Sequence, residues 1–142
     1  MGKKKIVKKG GESGGSGNSG TVRSIKKKVA SGRLYVQATY NNTLISLTDA
    51  SGNSICQSSS GAIGFKGAKK GTPFAAAKVA ELVAEQAISV GMQEVAVVVK
   101  GVGSGRESSI RAFSGKGINL LSVIDVTPVP HNGVRAKKPR RV

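Results

Sequence analysis

From Arg33 the chain alternates, with Leu34, Val36, Ala38 and Tyr40 apolar and Tyr35, Gln37 and Thr39 between them. That is the period of a half-buried strand. Asn41-Asn42-Thr43 follows as a turn, because asparagine tolerates left-handed backbone angles and bonds to its own neighbours. Leu44 to Thr48 predicts a second strand, Asp49-Ala50-Ser51-Gly52-Asn53 a second turn and Ser54 to Ser58 a third strand, together a meander. Thr72 as N-cap and Pro73 at the first helical position open a helix running to Val90, where Gly91 can supply a left-handed C-cap. Lys78, Glu81, Glu85 and Ser89 share one face of that helix, and the remaining surface, with Phe74, Ala77, Leu82, Val83, Ala84, Ala87 and Ile88, reads as packing. Val95-Ala96-Val97-Val98-Val99 does not alternate, which suits a parallel strand covered on both faces. A second helix to about Gly117 and a fifth strand, Ile118 to Val126, complete the order βββαβαβ.

This order fixes a geometry. Helical crossovers between parallel strands are right-handed, so if only the second strand runs against the others, strands one, three, four and five all end on one rim. That rim gathers Asn41 to Thr43, Ser59 to Gly71, Lys100 to Arg106 and the chain from Thr127 onward. The opposite rim receives Asp49 to Asn53 and the turn at Gly91. Ligands of open α/β sheets lie at the carboxyl ends of strands, and an extended polyanion could lie across all four segments.

Lys100-Gly101-Val102-Gly103-Ser104-Gly105-Arg106 joins the fourth strand to the second helix. Its glycines allow close backbone approach, Ser104 and Glu107 have the spacing of a capping box, and orphan N–H groups at a helix start favour an anion. Lys100, Arg106 and Arg111 add full charges. A nucleotide loop fails on sequence. No window supplies Gly, four residues and Gly-Lys-Ser/Thr, and a dinucleotide fingerprint needs glycine where Arg106 stands. A tight turn without ligand and a loop against a polyphosphate backbone both remain open.

Charge decides between partner classes. The 142 residues carry 23 Lys and Arg against 7 Asp and Glu, a formal charge of +16, which points to nucleic acid or an anionic surface. Residues 1–30 contribute +8, residues 31–130 only +3 and residues 131–142 the last +5. The organisation expected is therefore a flexible, basic, Gly/Ser-rich extension over residues 1–30, a globular domain over 31–126 and an extended basic tail over 127–142. No window approaches the ~18 to 20 apolar residues of a membrane span, and no secretory h-region is present. A soluble, cytoplasmic protein is expected. One cysteine, Cys56, and one histidine, His131, make neither an internal disulfide nor a recognisable zinc set, and Cys56 reads as packing. In Ser59 to Gly71, four glycines and Lys66, Lys69 and Lys70 surround Phe65, which suits phosphates and a stacked base, or else a mobile loop with nothing to bind.

The C-terminal run Asp125-Val126-Thr127-Pro128-Val129-Pro130-His131-Asn132-Gly133-Val134-Arg135-Ala136-Lys137-Lys138-Pro139-Arg140-Arg141 is the most distinctive stretch. With Asn41-Asn42-Thr43, Gly64-Phe65-Lys66-Gly67, Thr72-Pro73-Phe74-Ala75-Ala76 and Gly105-Arg106-Glu107-Ser108, it resembles the S-eleven family of small-subunit ribosomal proteins, bacterial or plastid type, over residues 21–142. The resemblance implies a ribonuclease-H-like three-layer α/β sandwich, a mixed five-stranded sheet in order 3-2-1-4-5 with two main helices. It also implies a non-enzymatic constituent of the small subunit, on its platform. There such proteins bridge helices of ribosomal RNA of the 16S type, touch proteins seven and eighteen, and help form the Shine-Dalgarno cleft near messenger RNA and initiation factor three. No cofactor, metal, membrane or small-molecule substrate is implied, and the location is the ribosome of the cytoplasm or a plastid stroma. The matching RNA-contact positions are Asn41, Asn42 and Thr43; Gly64, Phe65, Lys66, Gly67, Lys69 and Lys70; Lys100, Gly101, Gly103, Gly105, Arg106 and Arg111; and His131, Asn132, Gly133, Arg135, Lys137, Lys138, Arg140 and Arg141. Chemistry suits the tail to this. Pro128 and Pro130 hold it extended, Asn132-Gly133 permits a sharp turn, and its arginines can grip phosphate bidentately.

Two rivals come from other classes. A two-metal nuclease needs carboxylates close enough to hold ions about 4 Å apart, but the first strand has none, Asp49 falls on the wrong rim and Asp125 stands alone, more suited to a hydrogen bond or a basic partner. A free-standing RNA or DNA chaperone shares the charge argument and differs only in partner.

Overall fold

The computed structural model describes residues 28–141, and the expectations placed on residues 1–27 lie outside them. Strands β1 (Ser31–Ala38), β2 (Thr43–Asp49) and β3 (Ser54–Ser59) form the meander; β4 (Glu94–Lys100) and β5 (Asn119–Asp125) complete the sheet. Between β3 and β4 lie a short helix α1 (Ser60–Ile63), a 3-10 turn (Gly67–Gly71) and the long helix α2 (Pro73–Val90); helix α3 (Gly105–Ser114) joins β4 to β5. The sheet order is β3-β2-β1-β4-β5. β1–β2 and β2–β3 are antiparallel, β1–β4 and β4–β5 parallel, so β2 alone is reversed.

The ribonuclease-H-like strand order is therefore present, but the described residues make two layers rather than three. Alternation in β1 buries Leu34, Val36 and Ala38 and leaves Arg33 and Gln37 exposed. Both crossovers, β3 to β4 and β4 to β5, move the same way across the sheet, and right-handedness puts α2 and α3 on the same face. After β5 the prolines at 128 and 130 carry the chain on as an extended tail, so no helix comes back over the far face. β4 shows the consequence: Val95, Val97 and Val99 are buried and Ala96 and Val98 only half-buried, not covered on both faces as its sequence predicts. On the outer strand, Leu121, Val123 and Ile124 stay more than half exposed.

Helix α2 forms as its caps dictate. Thr72 Oγ1 accepts from the Ala75 N–H at 3.3 Å, and Gly91, at φ 84°, donates its N–H to Ile88 O at 2.9 Å. Its buried stripe, Ala75, Ala76, Val79, Ala80, Val83, Ala84 and Ala87, is entirely alanine and valine, which lets it lie close on the sheet and on α3. Phe74, Leu82 and Ile88 do not belong to that stripe; they are 63%, 38% and 49% exposed, a correction to the broad packing face. From α3, the fully buried Phe113 packs among Leu34, Val97 and Val83 of the common core.

Several local expectations change. The capping box at Ser104 and Glu107 is not formed: Ser104 donates to the Gly71 carbonyl at 2.8 Å and Glu107 pairs with Arg111 one turn on. The helix ends at Ser114, and Gly117, at φ 88°, turns the chain into β5. Tyr40 leaves the strand, since β1 stops at Ala38, and is 77% exposed. The first turn needs no left-handed asparagine; Asn132 alone among the described non-glycine residues has positive φ. Thr39 closes it instead, with its N–H and hydroxyl both donating to Asn42 O at 2.9 and 3.0 Å. Ser59 to Gly71 is built structure, with α1 capped by Ser59 and by Gly64 at φ 114°. At the start of the described chain, Val29 packs on the core and donates to Val90 O at 3.3 Å, so the globular unit includes it.

Candidate nucleic-acid interface

The four segments assigned to one rim touch each other there. The β4–α3 loop lies on the end of β1, where Gly103 donates its N–H to Ala38 O at 2.9 Å. Ser104 reaches across to Gly71, the last residue of the 3-10 turn. A Cβ on Gly103 would stand 2.3 Å from Thr39 O, and one on Gly71 2.1 Å from Tyr40 O. On Gly101, which also has φ +103°, it would stand 2.1 Å from Ala38 O, and on Gly105 2.5 Å from Thr43 Oγ1. Gly71, Gly101 and Gly103 are required by backbone-to-backbone packing and Gly105 by the side chains of Thr43 and Ala76 beside it, whatever lies outside. Gly103 and Gly105 are themselves buried.

Arg106 closes the fourth junction. Its guanidinium donates to the Gly101 carbonyl, to Thr127 Oγ1 at 3.2 Å and to Asp125 Oδ2 at 2.5 Å. Thr127 in turn donates its N–H to Asp125 Oδ1 at 2.8 Å and accepts from the Gly101 N–H at 3.1 Å. The Arg106 guanidinium, and after it the Thr127 hydroxyl and N–H, hold the Asp125 carboxyl well below the usual carboxylate range. Asp125 thus has the basic partner its isolation in sequence suggested. Arg106 is engaged inside the protein, and what it does is fix where the tail leaves the sheet.

The remaining predicted positions sort by exposure. Asn41, Gly64, Lys66, Gly67, Lys69 and Lys100 are exposed, and Lys70 is half-buried. Thr43 is fully buried against Gly105, so its side chain supports the rim from beneath and cannot reach a ligand, a correction to its place among the contacts. Asn42 is half-buried, its Oδ1 buried without a partner. Arg111 pairs with Glu107, both side chains about four-fifths exposed, a pair that water weakens and that phosphate could exchange. His131, Gly133, Arg135, Lys137, Lys138, Arg140 and Arg141 lie on the exposed tail, whose turn at Asn132 is left-handed at φ 55°. Phe65 is half-buried and meets Phe74 edge to face, centroids 6.1 Å apart.

Tyr40 was missed. Strand alternation assigned it to the core, yet it stands at the tip of the β1–β2 turn beside Gly71, an exposed ring among the basic segments. Its position directly before Asn41-Asn42 was the available signal, since turn residues leave the strand's period. The acids are sorted as well. Asp49 and Glu94 sit on the opposite rim, where Asn53 holds the Asp49 carboxylate with bonds of 2.8 and 2.9 Å and lowers its pKa. Of the carboxylates on the candidate rim, Asp125 is neutralised by Arg106.

Comparison with known sequences bears on this arrangement. The sequence model of the family described as "Ribosomal protein S11" matches residues 32–141. The small ribosomal subunit protein uS11 of Thermus thermophilus, from each of two strains, is 52% identical over 116 residues, covering 82% of this chain and 90% of the relative.

Proposed function

The chain belongs to the ribosomal protein S11 family, and from that premise we propose that its carboxyl rim and tail clasp separate helices of small-subunit ribosomal RNA on the platform. Family membership carries the coarser statement: a structural, non-enzymatic constituent of the small ribosomal subunit that binds ribosomal RNA and serves translation. The single observation behind the finer one is the contact of four polar and basic segments on one rim, joined through Ser104–Gly71 and Arg106–Thr127.

In this reading Lys66, Lys69, Lys70 and Lys100 meet one stretch of backbone, and Arg135, Lys137, Lys138, Arg140 and Arg141 another, reached by the tail. Lysines act as point charges and arginines as bidentate clamps. Tyr40, Asn41 and His131 offer a stacking ring and polar donors between them. Gly101, Gly103, Gly105, Thr43 and Arg106 shape the rim from within. The Shine-Dalgarno cleft, with messenger RNA and initiation factor three near it, and contacts to proteins seven and eighteen, follow from the family's place on the platform, as does a cytoplasmic or plastid location following the particle.

Cross-linking of intact small subunits, with RNA-linked peptides assigned to residues, tests the reading. Links at Lys66–Lys70, Lys100 and residues 131–141 are expected. Links concentrated on Asp49–Asn53 and Gly91–Glu94 would put RNA on the opposite rim and defeat it.

A further inference from the structure

The sheet keeps one uncovered face. Helices α2 and α3 pack on the side that carries Leu34 and Val36, and the alternate residues of β1, Arg33, Tyr35 and Gln37, project from the other. Register sets their neighbours. Tyr35 lies between Ser46 of β2 and Val98 of β4, with Gln57 of β3 one strand further out, and Gln37 lies between Leu44 and Lys100. Arg33, Gln37, Gln57 and Lys100 are exposed around the half-buried Tyr35, which takes no part in the core. Val98 and Ile124 extend the row of Tyr35 towards β5 as apolar surface.

Charge on this face is not balanced from within. Arg33 and Lys100 bracket Tyr35, about 13 Å apart along the strands, and among the described residues neither has an ion-pair partner. The acid on this face, Glu94, lies at the opposite rim and pairs with neither. The face also runs into the basic rim. A cleft of about 150 Å³ between Gln37, Thr39, Asn42 and Leu44 joins it to the β1–β2 turn. That is below the roughly 300–1,000 Å³ of pockets for drug-sized ligands and suits a single planar ring. An aromatic platform needs a π-face for a base, carboxamides for base edges and cations for phosphates, and Tyr35, the two glutamines and the two cations supply all three. Paired RNA keeps its bases in the stack, so the fitting ligand is single-stranded.

Given the RNA-binding rim proposed above, on which this inference rests, we propose that the open face is a platform for an unpaired stretch of small-subunit ribosomal RNA. One base stacks on Tyr35, and the phosphates to either side of it meet Arg33 and Lys100. The strand runs along β1 and passes Gln37 into the rim, so platform and rim hold one continuous piece of RNA.

The test uses full-length protein assembled into small subunits, with p-azidophenylalanine replacing Tyr35 in one preparation and the exposed Gln57 in a second, so that a folding defect at one position leaves the other. Irradiation should give adducts to unpaired nucleotides of ribosomal RNA. With free protein and full-length small-subunit ribosomal RNA, Tyr35→Phe should keep its affinity and Tyr35→Leu lose about tenfold, the size of one base–aromatic stack. Arg33→Gln, at an exposed position, should reduce the slope of log K against log salt by about one. Adducts to protein or to a second copy of this chain, or none, while Lys66–Lys70 and the tail still link to RNA, would overturn the platform and leave the rim standing. Equal affinity of the Phe and Leu variants with an unchanged slope at Arg33 would do the same. Loss of the rim links as well would remove both.

Discussion

Gly103→Ala is the sharpest test of why the β4–α3 loop is rich in glycine. Gly103 has no left-handed backbone angle, so alanine can adopt its conformation and the substitution reports space alone. The new methyl would lie 2.3 Å from Thr39 O, 2.8 Å from Thr39 C and 2.9 Å from Ala38 C, all backbone atoms of the β1 end. Backbone cannot swing aside as a long side chain can. The loop must lift, and the Gly103–Ala38 hydrogen bond lengthens with it. Overpacking costs about 1–3 kcal/mol and weakening the bond about 0.5–1.5, so roughly 2–4 kcal/mol is expected. With a urea slope of about 2 kcal/mol per molar, the midpoint of the free protein, followed by circular dichroism, should fall by roughly 1–2 M. Gly117→Ala is the control: φ is +88° and nothing lies within 4 Å, so only the left-handed cost of about 1–2 kcal/mol applies. A Gly103→Ala protein as stable as wild type but defective in RNA affinity would show that the glycine serves the ligand and would refute the packing argument.

Salt dependence separates clamp from contact. If about ten phosphates are neutralised, log K should fall against log salt with a slope near -7 to -9. Lys100→Ala or Lys137→Ala should each reduce that slope by about one, whereas Arg106→Ala should lower affinity with the slope nearly unchanged, because its guanidinium faces Gly101, Thr127 and Asp125. A full unit lost at Arg106 would contradict its internal role. The Asp125 carboxyl is held below its unfolded value, so its contribution is complete above about pH 4 and fades as pH falls toward the folded value. The gap in thermal midpoint between wild type and Asp125→Asn should therefore be constant from about pH 5 to 7 and narrow below pH 4; a gap that widens on acidification would reverse the sign. Burial pushes the Cys56 thiol up to about 11, so at pH 8 it should react with a maleimide far more slowly in folded protein than in urea, and equal rates would show an accessible thiolate.

Much of the fold was legible because it is written in near neighbours. The two-residue period of Leu34 to Ala38, Thr72-Pro73 before an apolar run and Gly91 after it are local facts, and handedness of the crossovers converts them into a strand order and a shared rim. The gathering of polar, glycine-rich and basic segments needed no more than that. The tail could be read likewise, since Pro128, Pro130 and Asn132-Gly133 act on their own backbone. What could not be read was which of those residues face outward. Arg106 and Lys100 are alike in sequence, but one is engaged by Asp125, nineteen positions away, and the other is exposed. Thr43 stands only two residues after Asn41, yet it begins β2 and packs against Gly105, fully buried, while Asn41 is exposed. Phe74 has the spacing of a packing residue, but α2 turns its alanine and valine stripe to the sheet and leaves the Phe74 ring 63% exposed. Periodicity and turn chemistry are set by atoms a few bonds apart and so belong to the sequence; burial and the choice of hydrogen-bond partner depend on segments tens of residues distant, and only their meeting in three dimensions decides them.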